Sequence, residues 1–267
     1  LREYTVKFEF DFKVEKCELK LDFLASLKIP YNLRSYQLDA INHALSNNRT
    51  LLLSPTASGK SLIIYILVRY WKLKTLILVP TTSLVSQMYT DFRDYGWDVA
   101  NNCHTVFAGR DKDSELPVII STWQSIYKMP QKYFEQYELV IGDEAHGFKS
   151  KSLTSIMTKC VNAKYRIGAT GTLDGTLTHK LVLEGLFGSV FKVTTTKKLI
   201  DDKHLSPFTI NALILRHPDS ICHTLKDIDY QGELEYLIGS KARNKFIVNL
   251  TLGMKTNTLL LFRFVEK

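Results

Sequence analysis

At 267 residues, 45% of them hydrophobic, the chain is long enough to bury one large core or two small ones, which excludes a disordered or low-complexity protein. Its formal charge of +8 favours an anionic partner such as nucleic acid, although solvated lysines account for such a charge equally well. Four widely spaced cysteines (Cys17, Cys103, Cys160, Cys222) have no metal-ligand spacing and read as free thiols of a reducing cytoplasm; no apolar stretch has transmembrane length and no signal peptide is evident, so no membrane partner is expected.

Residues 4–14 alternate with period two: Tyr4, Val6, Phe8, Phe10, Phe12 and Val14 face one way, which predicts a strand in a small N-terminal β-containing element. Residues 17–29 suit a second strand or a short helix, and 33–46 read as a helix. From Thr50 a strand-then-helix pattern repeats. Apolar runs at 51–53, 75–79, 118–120, 138–141 and 165–168 alternate with helical segments at 61–72, 82–95, 123–136 and 152–160. That alternation predicts an α/β fold, a parallel sheet with crossover helices on both faces. Beyond it the pattern predicts a helix over 177–187, strands at 189–194 and 208–215, a polar loop over 216–231 and a helix over 240–254. A last apolar run, 258–264, reads as the first strand of a further unit, cut short.

Two motifs carry chemistry. Ser54-Pro55-Thr56-Ala57-Ser58-Gly59-Lys60-Ser61 lies between the strand Leu51-Leu52-Leu53 and an apolar helix, the context that makes Gly-Lys-Ser a phosphate-cradling loop. In it Thr56, Ala57, Ser58 and Gly59 offer backbone N–H groups to phosphate. Lys60 reaches the β- and γ-phosphates, and the Ser61 hydroxyl suits Mg²⁺. Ser54 stands where the pattern has its first glycine, and an ordinary Ser/Gly turn is the plainer alternative. The second motif, Asp143-Glu144-Ala145-His146, follows the apolar run 137–141 and so lies at the carboxyl end of a strand, where open parallel sheets bind ligands. Asp143 can hold Mg²⁺ while Glu144 activates water, with His146 linking the nucleotide site to its surroundings. A solvated acidic turn is the alternative; zinc is disfavoured, because no second histidine lies at helical spacing from His146.

These motifs resemble those of superfamily 2 helicases of the DEAH type, and further segments match in order. Leu33-Arg34-Ser35-Tyr36-Gln37 resembles the Q-motif, Val79-Pro80-Thr81-Thr82-Ser83-Leu84 with Gln87 resembles motif Ia, Ser121-Thr122-Trp123-Gln124 motif Ib, and Gly168-Ala169-Thr170-Gly171-Thr172 motif III. The resemblance implies a RecA-like lobe with ATP and Mg²⁺ as cofactors. It implies that Arg34, Tyr36 and Gln37 bind adenine, that Thr81, Thr82 and Thr122 contact nucleic acid, and that Thr170 and Thr172 couple the two sites. Trp123 suits either base stacking or the core, and Lys197 and Lys198 suit either the DNA backbone or a solvated helix start. Segments Phe187-Gly188, 194–199 and 240–245 are similar to those of phage recombination helicases. That likeness implies branched or partly single-stranded DNA as partner and the host bacterial cytoplasm as location; it names no protein partner. The implied organisation is an accessory element over 1–32, the ATP-binding lobe over 33–255, and the start of a second, truncated lobe over 256–267, a piece without turnover of its own. A restriction-system motor subunit, an RNA helicase and a catalytically inert DNA-binding module remain open as alternatives.

Overall fold

The computed structural model describes residues 16–107, 109–173 and 175–261. The strand expected over 4–14 lies outside them. Seven strands form one sheet: β1 (Arg49–Leu53), β2 (Thr75–Val79), β3 (Cys103–Val106), β4 (Val118–Thr122), β5 (Leu139–Asp143), β6 (Tyr165–Thr170) and β7 (Val190–Lys192). Their order is β3-β4-β2-β5-β6-β1-β7, and every pairing is parallel. The chain passes from β1 to β2, goes out to β3 at the edge, comes back as β4 between β3 and β2, and then inserts β5 and β6 between β2 and β1.

The helices are α1 (Leu21–Leu27), α2 (Ser35–Asn47), α3 (Lys60–Trp71), α4 (Thr82–Asp94), α5 (Trp123–Ile126), α6 (Gln131–Phe134), α7 (Lys151–Lys159), α8 (Leu177–Phe187) and α9 (Thr196–Asp201). Strand side chains alternate between two cores. Leu52, Ile77 and Ile141 pack with Ile41 of α2, Ile63 of α3 and Phe92 of α4. Their neighbours Leu51, Leu76 and Val140 pack on the other face with Phe134 of α6, Ile156 of α7 and Phe187 of α8. Helices on both faces are why these strands are apolar at nearly every position. Each such side chain contributes about 1.5–3 kcal/mol when fully buried.

Several expectations are corrected. The helix expected over 123–136 is two single-turn helices, α5 and α6, because Pro130 cannot donate to the ladder and disfavours a helical Met129; Pro130 instead caps α6. No strand forms over 208–215, since none of the described strands pairs with it, and 258–261 is likewise not a strand; 262–267 lies outside the described residues. The loop expected over 216–231 contains α10 (Asp219–Thr224), which starts after Pro218, and the first residues of α11 (Tyr230–Gly239), whose N-terminus the Asp229 side chain caps by accepting from the Gly232 N–H at 3.0 Å. The choice at 17–29 is settled as helix α1. The last helix, α12 (Lys241–Gly253), falls where expected. The chain divides into two compact units, one through Pro207 and one from Phe208, a division that lies inside the segment 33–255.

Candidate active site

The register of the sheet brings the two motifs together. Leu53 of β1 stands opposite Thr170 of β6, and Asp143 of β5 opposite Ala169, so three strand ends converge with β6 in the middle. With strands about 4.8 Å apart, β1 and β5 end roughly 10 Å from each other, a gap the phosphate-type loop has to span. That loop is anchored at its base, where the Ser54 N–H donates to the Thr170 carbonyl at 2.8 Å. The Ser54 hydroxyl, in place of the pattern's glycine, bonds the Ser58 hydroxyl at 2.6 Å inside the loop. Ala57 and Gly59 take positive φ, 62° and 82°. At Gly59 a Cβ would sit 2.4 Å from Gln37 Nε2, so glycine is required for both conformation and space. Helix α3 begins at Lys60, leaving its first N–H groups free for an anion.

Lys60 Nζ lies 3.6 Å from Glu144 Oε1, closing the loop onto the second motif. Glu144 itself sits in the left-handed region at φ 50°, the bend that turns its side chain out of the strand direction. Asp143 is buried, and its Oδ1 has no hydrogen-bond partner among the described residues. Burial pushes its carboxyl up to about 6; Lys60 opposes the rise and the Glu144 carboxylate adds to it. Thr56, Lys60, Ser61, Asp91, Asp143 and Glu144 border one cavity of about 310 Å³. A buried carboxylate with an orphaned oxygen, on a residue that borders the same cavity as Ser61, fits a hard divalent cation. No cluster of three His, Cys, Asp or Glu side chains among the described residues forms a protein-only metal cage. Mg²⁺ needs no such cage, since it takes one or two protein ligands plus substrate phosphate.

A second set of bonds runs from Glu144 to β6. His146 Nδ1 lies 3.3 Å from Glu144 Oε2 and 3.0 Å from the Thr170 hydroxyl. The Thr170 hydroxyl also lies 3.0 Å from the Thr172 carbonyl, which can only accept. The single Thr170 proton therefore goes to that carbonyl, and Nδ1–H of His146 donates toward Thr170 and Glu144. The His146 carbonyl accepts from His179 Nε2 of α8 at 3.0 Å. Thr172 enters through its backbone, Thr170 through its hydroxyl.

Arg34, Tyr36 and Gln37 gather against the loop from the start of α2. Gln37 Nε2 donates to the Ser58 carbonyl at 2.9 Å, Gln37 Oε1 accepts from the Arg34 N–H at 2.9 Å, and Tyr36 OH donates to Ser58 O at 3.2 Å. An Arg34 guanidinium N–H donates to Tyr36 OH at 2.7 Å. A second cavity of about 380 Å³, bordered by Tyr31, Arg34, Gln37 and Tyr95, shares Ala57, Gly59 and Asp91 with the first. Its rim suits a planar base beside a triphosphate.

The candidate nucleic-acid residues are less uniform. Thr81 and Thr82 are exposed at the start of α4, where Thr81 caps the helix by accepting from the Leu84 N–H at 3.3 Å. Thr122 is buried, its hydroxyl 2.8 Å from that of Ser125. Gln124 Nε2 donates to the Pro80 carbonyl at 3.2 Å and ties the two loops together. Trp123 packs partly buried against the second core, edge-on to Tyr127. Lys197 and Lys198 are exposed at the start of α9. The residues that sequence reasoning missed are Asp91, Tyr95 and His179. Leu84, Gln87, Asp91 and Tyr95 recur at three- and four-residue spacing, one face of α4, and this periodicity was the available signal for the first two. His179 carried none.

A model of the family described as "Type III restriction enzyme, res subunit" matches residues 30–175. The chain is 35% identical over 242 residues to the ATP-dependent DNA helicase uvsW of Enterobacteria phage T4, covering 86% of this chain and 48% of that protein. It is 27% identical over 210 residues to the DNA 3'-5' translocase XPB2 of Sulfurisphaera tokodaii, covering 70% of this chain and 46% of the relative. A crystal structure of the UvsW helicase from bacteriophage T4 matches with a TM-score of 0.59 at 35% identity, over 67% of this chain and 70% of that one. The all-parallel sheet is therefore the RecA-like helicase fold. The chain spans about half the length of these curated relatives.

Proposed function

This chain belongs to the helicase family described as the type III restriction enzyme res subunit, and on that premise we propose that it forms the ATP-binding part of an ATP-dependent DNA helicase or translocase that remodels branched or partly single-stranded DNA. The observation that carries the reading is the convergence of Lys60, Ser61, Asp143 and Glu144 on one cavity at the carboxyl end of the sheet. The likeness to a phage ATP-dependent DNA helicase, which extends over most of the chain, supports DNA as the substrate.

Lys60 Nζ lies within ion-pair distance of Glu144 Oε1, so the γ-phosphate of a bound nucleotide would compete with Glu144 for this cation. When phosphate takes Lys60, Glu144 is released to orient a water and accept its proton at a carboxylate oxygen. Asp143 and Ser61 would hold Mg²⁺, which when bound neutralises charge on the β- and γ-phosphate oxygens. Gln37 keeps one amide hydrogen and one Oε1 lone pair beyond those used on the chain's own backbone, enough for the N7 and N6 of adenine. The Glu144–His146–Thr170 bonds join the water-activating carboxylate to motif III, the segment that communicates with nucleic acid.

The test uses the intact protein. Glu144→Gln should bind ATP as wild type does and hydrolyse it at least about 100-fold more slowly, because the amide has no basic oxygen. Lys60→Ala should lose nucleotide binding. Wild-type turnover of either variant with saturating DNA contradicts the assignment. The family description favours one further reading, a restriction-system motor. ATP-dependent DNA cleavage with a partner subunit would support it, whereas unwinding of a synthetic four-way junction by the protein alone, with RNA duplexes left intact, supports the branched-DNA reading.

A further inference from the structure

Tyr95 belongs to none of the motifs assigned above, yet its phenol touches one of them. Tyr95 OH lies 2.8 Å from Ser61 Oγ, although the two residues are 34 positions apart. The ring stands just past the end of α4, where the Tyr95 N–H donates to the Asp91 carbonyl at 2.9 Å. Two further rings hold it. Tyr65 of α3, fully buried, lies 5.2 Å away between ring centres, and Tyr31 meets it edge-on at 6.0 Å. Burial raises the Tyr95 phenol, so it keeps its proton at neutral pH. Ser61 borders the phosphate cavity and Tyr95 the neighbouring one, and their hydroxyls meet between the two.

Either hydroxyl can donate in this pair. A serine hydroxyl has one proton and two lone pairs, and a phenol likewise donates or accepts. A cation on Oγ uses a lone pair and draws electron density from the O–H, which makes Ser61 the better donor and Tyr95 the acceptor. The metal and the phenol then use different parts of the same hydroxyl and do not compete. We propose that Tyr95 is a positioning residue for Ser61: its phenol oxygen takes the Ser61 proton and so holds an Oγ lone pair toward the divalent cation of the nucleotide site. The inference rests on the nucleotide-site reading above. Outer partners of metal ligands act in this way generally, fixing the orientation of the ligand and raising its basicity.

The experiment follows binding of a fluorescent ATP analogue to the intact protein during a Mg²⁺ titration, and again in EDTA. Tyr95→Phe keeps the ring and its contacts with Tyr31 and Tyr65 and removes only the hydroxyl. It should raise the Mg²⁺ concentration at half-saturation by about tenfold, with affinity in EDTA unchanged. Ser61→Ala should raise the midpoint as well, and adding Tyr95→Phe to it should shift the midpoint no further, because the phenol acts through Oγ. A wild-type or lower midpoint in Tyr95→Phe overturns the proposal. So does an equal loss of affinity with and without Mg²⁺, which marks a structural or base-binding role, and so does a full second shift in the double variant. Should wild type itself bind no Mg-nucleotide, the nucleotide-site reading fails, and this inference with it. If wild type binds, Lys60→Ala does not, and Tyr95→Phe behaves as wild type, only the inference about Tyr95 fails.

Discussion

Replacing Gly168 by alanine probes how closely the motif III strand is packed. The glycine sits in β6, directly across from Gly142 of β5. Together they leave a trough that the Phe187 ring fills; Phe187 is fully buried and is met edge-on by Phe148 at 5.0 Å between ring centres. A Cβ at Gly168 would lie 2.7 Å from Leu51 Cδ1 and 3.0 Å from Phe187 Cγ. Carbon pairs prefer about 3.5–4.0 Å, so both neighbours must yield by about 0.5 Å or more. Leu51 can turn, but Phe187 cannot, since the trough that receives it is also too narrow at Gly142, where a Cβ would stand 2.9 Å from Phe187 Cζ. Overpacking of this kind costs about 1–3 kcal/mol. Restricting the unfolded backbone returns about 0.5–1 kcal/mol. The net loss should be about 1–2 kcal/mol, which lowers the melting temperature by roughly 2–8 °C in a domain of this size. Thermal unfolding of Gly168→Ala, Phe187→Leu and the double variant measures it. The double variant should lose less than the sum of the two, because the smaller side chain vacates the space that the methyl needs. An unchanged or higher midpoint for Gly168→Ala, or strict additivity, would refute the packing argument.

Gln37→Ala in the intact protein should weaken ATP more than GTP, measured by competition binding; equal loss would assign Gln37 solely to holding the Ser58 carbonyl. His43 of α2 stacks on Phe191 at 4.1 Å, and burial lowers its pKa below the ordinary 6.5. The unfolded chain therefore binds the proton more readily, so stability is lost as pH falls through about 6.5 toward the lower folded value. His43→Phe should flatten the fall in melting temperature between pH 7 and 5, and an unchanged pH profile would count against a role for His43.

Much of the site is legible in the order of the residues. Lys60, Asp143 and Glu144 stand out because each follows or ends a recognisable apolar run, and a parallel sheet presents such ends on one edge. The unreadable parts are of another kind. Asp91 and Tyr95 sit at the far end of a helix whose first residues carry motif Ia, and only the packing of α4 against α3 sets Tyr95 beside Ser61 and Asp91 on the same cavity. Thr122 reads as a phosphate contact by its position, but its hydroxyl is buried on Ser125. The expected strand at 208–215 fails because an apolar run does not by itself supply the partner that must take a strand's hydrogen bonds.

Periodicity and spacing were enough to determine a parallel α/β fold and the two phosphate-site motifs, because those features are local: a strand's burial, a loop's glycine and a helix start are written in consecutive residues. Which strands lie side by side was decided only by tertiary structure. Inserting β6 between β1 and β5 puts Thr170 at the junction of the two motifs, where its hydroxyl meets His146 and its carbonyl anchors Ser54. The same pairing sets Gly142 beside Gly168, so that Phe187 can fill the trough between them. Sheet order depends on the burial of whole helices on both faces, a balance summed over the entire core that no short run of residues encodes.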